Sequence, residues 1–233
     1  MAKVLAKLAA ILALSIAGAQ CMGADLNKDD FEAYAAGVWS PPANWKLGPR
    51  NGNVSGAGLV SAEILDANGI AGKYLRIVAS GWNGKATWTA SLDKQKAPKQ
   101  VVEATFRLAE RVPQDAQGRW MASVWIGPEY WDTVAGITFT DSAGAVSASL
   151  GTTEATPIPG GTEWKLGDWL TVQIELDYVA ETVRARLGPA GGKFGEWTKP
   201  LFMKQVTQYK GIDFGYNGTI DTDNLSIQPV AAP

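Results

Sequence analysis

The chain has 233 residues, a net charge of -2, one cysteine and no histidine. The near-neutral balance excludes a broad basic field for nucleic acid or an anionic membrane. Without histidine, Ser-His-Asp and Cys-His catalysis and tetrahedral zinc are excluded. Carboxylate, tyrosine, lysine and arginine chemistry and oxygen-ligated cations such as calcium remain.

Residues 1–19 read as an export signal. Lys3 and Lys7 supply the positive end, Leu8 to Ile16 is an apolar run too short to span a bilayer, and Ala17-Gly18-Ala19 is a cleavage site. The mature chain is expected to begin near Gln20, so the protein is secreted, periplasmic or on the cell surface. Cys21 would be the lipid anchor of a bacterial lipoprotein, but Gln20 directly before it argues against lipidation. Residues 20–29 read as a flexible lead into a single domain over 30–233. No later stretch reads as a transmembrane helix, and the domain has no disulfide.

Phe31 anchors the first strand. Leu59 to Leu65, Tyr74 to Ser80 and Ala86 to Leu92 follow as strands, separated by Asn68-Gly69 and Asn83-Gly84 turns. Val102 to Leu108, Met121 to Ile126, Val134 to Thr140 and Val146 to Leu150 continue the pattern. Leu170, Val172, Ile174, Leu176 and Tyr178 alternate with Thr171, Gln173, Glu175 and Asp177, which predicts one face on a core and one on water. After a turn at Val179 to Thr182, Val183, Ala185 and Leu187 return inward with Arg184 and Arg186 outward, which sets Asp177 opposite Arg184 and Glu175 opposite Arg186. Ile212 to Tyr216 and Asn224 to Gln228 close the chain. About a dozen short strands without an amphipathic helix indicate an all-β sandwich or barrel.

Three motifs sit in a familiar order: Asp30-Phe31-Glu32 at the start, Trp169-Leu170-Thr171-Val172 opening a late hairpin that ends in Arg184-Ala185-Arg186-Leu187, and Asp223-Asn224-Leu225-Ser226-Ile227 at the close. In these the chain resembles the concanavalin A-like jelly roll of legume-type lectins, laminin G-like modules, several glycoside hydrolase and polysaccharide lyase families and many exported bacterial proteins. The resemblance implies an all-β, two-sheet antiparallel jelly-roll sandwich. It also implies that the first and last strands are neighbours, with a structural Ca2+ held between Glu32 and Asp223. The residue parity of the last strand places Asp223 on the same side as Leu225 and Ile227.

Glu175-Leu176-Asp177 is similar to the start of an E-x-D-x-E or E-x-D-x-x-E signature in one glycosidase family with this fold. Retaining chemistry needs two carboxylates about 5–5.5 Å apart, and alternate strand residues share a face. Glu181, however, comes one residue late and falls in the turn. Arginines across the ladder favour reading Glu175 and Asp177 as a charge-paired sheet surface, so no residue is assigned as catalytic. A lyase without histidine would rest on residues such as Tyr130 or Tyr216.

Ten tryptophans exceed the need of one core. Trp82, Trp88, Tyr130 and Trp131 are the candidate carbohydrate-binding residues, since flat sugar faces stack on such rings, whereas Trp120, Trp125, Trp164 and Trp169 read as core. The expected function is a non-catalytic exported domain that binds a polysaccharide or glycoconjugate at the cell surface or matrix. The alternatives are a glycoside hydrolase or polysaccharide lyase of the same fold, and a structural or adhesive surface protein that binds protein.

Overall fold

A computed structural model describes residues 27–49, 60–66, 70, 72–89, 97–110, 120–126, 135–142, 145–151, 155–203 and 212–230. The export signal and Cys21 lie outside these residues. Among the described residues there are strands and turns but no α-helix, and no helix long and apolar enough to cross a membrane.

Two layers are built from antiparallel strands. The first contains β2 (Gly37–Val38), β4 (Val60–Asp66), the first half of β5 (Lys73–Trp88), the second half of β15 (Ile212–Pro229), β6 (Lys99–Glu110), β12 (Leu170–Asp177), β13 (Thr182–Pro189) and β14 (Leu201–Phe202). A short β1 (Lys28–Asp29) pairs with β15 at Leu225 and Ser226. The second layer contains β3 (Trp45–Pro49), the second half of β5, the first half of β15, β7 (Trp120–Ile126), β8 (Ala135–Ser142) and β9 (Ala145–Gly151). Two short strands, β10 (Ala155–Pro157) and β11 (Trp164–Lys165), both pair with β9.

The long strands β5 and β15 pass through both layers, so the hydrogen-bonded network is continuous. This is an all-β, two-sheet antiparallel jelly-roll sandwich. It corrects one sequence expectation: Asn83-Gly84 does not end a strand. Tyr216 faces Gly84 and Gly218 faces Ala79, so residues 80–83 of β5 oppose the single Asn217 of β15. A bulge at this point bends the pair from one layer into the other. Turn-forming residues here serve a bend within a strand.

The inner faces meet as their alternation requires. Leu170, Val172, Ile174 and Leu176 of β12 and Val183, Ala185 and Leu187 of β13 are buried. Phe106 of β6 and Phe139 of β8 pack across the two layers with ring centroids 4.7 Å apart. Phe31, Trp39, Trp45 and Trp88 form a further aromatic cluster within the same core. Phe31 is buried as expected, but its backbone adopts a left-handed φ of 59°. That conformation costs a bulky L-residue roughly 1–2 kcal/mol, and the aromatic packing holds it.

Candidate ligand-binding face

The outer face of the first layer carries most of the described polar chemistry. The β12–β13 hairpin supplies its centre. Its turn is Tyr178 to Glu181, one residue earlier than the alternation suggests, with Glu181 in the left-handed region. Two N–H donors explain the early turn, since Val179 and Ala180 both donate to the Asp177 carboxylate. The register therefore differs from the expected one: Glu175 faces Arg184, Gln173 faces Arg186 and Asp177 faces Thr182.

Arg184 donates from Nε and Nη2 to the two Glu175 oxygens at 2.9 Å each. Lys99 of β6 lies 3.5 Å from Glu175 and 2.8 Å from Asp177. Burial pulls the Asp177 carboxyl upward, but donation from Ala180 and from Lys99 outweighs it, and the pKa is held below the ordinary carboxylate value. Both acids of the catalytic-looking motif are thus engaged by cations.

The strand face beyond them is covered by the chain itself. Residues 193–203 run along the outer edge of β13: Gly195 donates to the Leu187 carbonyl, Thr198 to the Ala185 carbonyl, and β14 continues the pairing at Val183 and Thr182. Gly188 permits this approach, since a Cβ there would lie 2.8 Å from the Lys193 carbonyl oxygen and 2.9 Å from the Phe194 Cα. Phe194 and Trp197 consequently fold onto the outward arginines of β13. The Arg184 guanidinium lies 4.6 Å from the Trp197 ring centroid, and that of Arg186 lies 4.7 Å from Phe194 and 4.5 Å from Trp197. Arg186 also donates from Nε to Gln173 Oε1 at 2.8 Å, and Gln173 Nε2 donates to Glu103 of β6. Phe194, Trp197 and Arg186 are all half-buried, so each retains surface toward solvent. The result is an aromatic–guanidinium platform whose contacts span three strands.

A second polar cluster lies further along the same face. Asp221 is fully buried and takes Arg76 Nε and Nη2 at 2.7 and 2.9 Å and Arg107 Nε at 2.7 Å. Arg107 also donates to the Tyr74 hydroxyl and lies 4.8 Å from the Trp169 ring centroid. Between the clusters, the Thr105 and Thr171 hydroxyls pair at 2.9 Å. Trp164 and Trp169, expected as core, are half-buried.

The predicted cation residues stand where β5 begins beside β15. Asp223 is fully buried, yet it does not share a face with Leu225 and Ile227. Asp223 pairs with Thr105 and Ser226 with Glu103, so one extra residue is inserted. Asn224 sits in this bulge with φ 50°, and asparagine tolerates that conformation. The bulge turns Asp223 outward while Leu225 and Ile227 enter the core. One Asp223 oxygen accepts from the Asn224 N–H, and the other, Oδ2, has no hydrogen-bond partner among the described residues. Burial, with repulsion from Glu32, Asp30 and Asp29, raises the Asp223 pKa to about 6. Glu32 accepts from the Lys73 N–H at 2.8 Å, its carboxylate resting where Gly72 has no side chain. Asp29 is saturated by the Phe31 N–H, the Tyr34 hydroxyl and the Trp45 indole.

Of the four candidate sugar-stacking residues, Trp88 is fully buried against Trp45. Its inward parity on β5 makes it a core residue that offers no ring face to a ligand. Trp82 falls within the β5 bulge, but its side chain lies outside the described part, as do Tyr130 and Trp131 entirely. Phe194 and Trp197 lie outside any alternating run, and Arg186 reads in the sequence only as sheet surface. The available signal was the pair of outward arginines on β13 followed by a glycine-rich turn and two aromatics.

No protein family matches the chain, and no curated protein does. Among solved structures it is similar to a sialidase from Trypanosoma rangeli, at 14% identity and a TM-score of 0.47, over 82% of this chain and 31% of the sialidase. It is also similar to lectin I-B4 from Griffonia simplicifolia, at 11% identity and 0.45, over 85% of this chain and 96% of the lectin. A family GH131 β-glucanase catalytic domain from Podospora anserina gives 14% identity and 0.45, over 88% and 86%. The chain thus spans less than a third of the sialidase.

Proposed function

We propose that this protein is an exported, non-catalytic jelly-roll domain that binds a polysaccharide or glycoconjugate at the cell surface or matrix. The observation that carries this reading is the platform on β13, where Phe194 and Trp197 are fixed against arginines while keeping part of their surface in solvent. Sugars bind to such arrangements through C–H faces on aromatic rings, with fixed polar groups directing the hydroxyls. The acid motif favours binding over hydrolysis, because Glu175 and Asp177 are tied to Arg184 and Lys99. Trp82, Tyr130 and Trp131 extend the proposal as further stacking residues.

The unpartnered Asp223 Oδ2 supports a bound Ca2+ on the same face, where β5 begins beside β15. A buried carboxylate without a counter-charge is costly, and a cation would satisfy it. Among the described residues, no three carboxylates converge as a complete cage. Calcium takes 6–8 oxygens, so Asp223 and Glu32 would hold it together with main-chain carbonyls. Its part would be structural, pinning β1 and the start of β5 to the β15 bulge.

The test is a panel of polysaccharides scored for both retention and product release. Retention without new reducing ends is expected. Product release that disappears in Glu175→Gln would replace the binding reading with a hydrolase.

A further inference from the structure

Among the described residues, Arg186 is the arginine with no carboxylate partner. Arg76 and Arg107 share Asp221, and Arg184 is matched by Glu175. Arg186 instead donates Nε to the neutral amide of Gln173. The nearest acid in that chain of contacts, Glu103, is one amide removed and accepts from Gln173. A guanidinium carries five N–H donors. The four on Nη1 and Nη2 of Arg186 have no protein acceptor among the described residues, and the side chain is half-buried, not fully solvated.

The guanidinium is also held in place. The Phe194 and Trp197 ring centroids lie 4.7 and 4.5 Å from it, and Gln173 accepts its Nε–H. A preorganised arginine loses little freedom when it forms a two-point contact with a planar or tetrahedral oxyanion. We propose that Arg186 is an anion-binding subsite of the carbohydrate face, taking a carboxylate or sulfate group carried on a sugar whose ring stacks beside it on Trp197 or Phe194. The ligand class is thereby narrowed from glycans in general to acidic glycans: the subsite matches uronate carboxylates and sulfate esters through the same oxyanion geometry. This inference rests on the glycan-binding reading above.

Three polymers separate the cases: dextran, dextran sulfate and polygalacturonate, each tested by affinity electrophoresis at two salt concentrations. At least one acidic polymer is expected to bind roughly tenfold or more tightly than dextran, as a charge-assisted contact to one guanidinium allows. Preference for dextran sulfate identifies the sulfate source and preference for polygalacturonate the carboxylate. Arg186→Gln should remove the preference, whereas Lys46→Gln, which deletes one charge from an exposed position on β3, should leave it intact. If Arg186→Gln does not fold, Arg186→Lys serves instead: it keeps the charge but lacks the planar fork, and the preference should fall several-fold. An unchanged preference in the folded Arg186 variant overturns the subsite. Equal binding of dextran and both acidic polymers also overturns it while leaving glycan binding standing. Retention by none of the three, nor by any polymer of the wider panel, overturns both.

Discussion

Glu175 on β12 and Arg184 on β13 are register partners joined by two 2.9 Å hydrogen bonds. The first carboxylate of the catalytic-looking motif is therefore part of sheet pairing. Glu175→Gln is expected to lower stability by about 1–2 kcal/mol, a partly exposed bidentate pair being worth no more. Thermal denaturation should show a shift of about 2–8 °C.

Asp221 predicts a larger effect. It is fully buried beneath Arg76 and Arg107. Asp221→Asn leaves two guanidiniums without their shared counter-charge, and breaking a buried ion pair from one side costs about 3–5 kcal/mol. The melting temperature should fall well beyond that of Glu175→Gln. An equal or smaller fall would mean that water already compensates these charges.

Asp223 makes a pH prediction. Its folded-state pKa of about 6 lies above the ordinary 3.8 because burial and the neighbouring acids disfavour its charge. The folded state therefore holds this proton more tightly than the unfolded chain. The resulting contribution is fully present below about pH 4 and is lost as pH rises through 6, on the order of 3 kcal/mol in all. Stability of the wild type relative to Asp223→Asn, measured in chelator between pH 4 and 7.5, should decline as pH rises. A flat difference would contradict the burial of an unpaired carboxylate.

The same residue tests the cation. At pH 7.5, added calcium should raise the melting temperature of the wild type, and excess chelator should lower it. Asp223→Asn should abolish both responses. No response in the wild type removes calcium from the account without touching the platform on β13.

Gly188 tests how that platform is built. Gly188→Ala places a methyl group 2.8–2.9 Å from backbone atoms of Lys193 and Phe194, which cannot rotate away as a side chain would. The 193–197 segment should lift from β13, and polysaccharide binding should fall while Leu187 and Ala185 keep the core intact. Retained binding would show that the Phe194 and Trp197 positions are not set by this contact.

The inward rows of β12 and β13 were legible in the sequence because strand alternation has a strict period of two. The same rule failed wherever a bulge altered the count. At Asn224 one inserted residue moved Asp223 to the outer face, and at residues 80–83 a bulge made Asn83-Gly84 look like a hairpin turn. The hairpin register was displaced because Asp177 draws in the N–H groups of Val179 and Ala180, closing the turn one residue early. Trp88 was misjudged for a different reason: aromatic residues suit both a core and a sugar site, and only its position opposite Trp45 decides between them. Phe194 and Trp197 have no strand periodicity at all. Their placement depends on hydrogen bonds from Gly195 and Thr198 to β13 and on the missing side chain of Gly188, which local sequence does not express.

The most direct test of glycan binding on the outer face is the affinity of Trp197→Ala for the polysaccharide that best retains the wild type, measured by isothermal titration calorimetry. Removing this ring takes away the stacking surface and loosens both Arg184 and Arg186, so a loss of roughly tenfold or more is expected, with the melting temperature showing a folded protein. Wild-type affinity in folded Trp197→Ala would contradict the assignment of the binding face to β13.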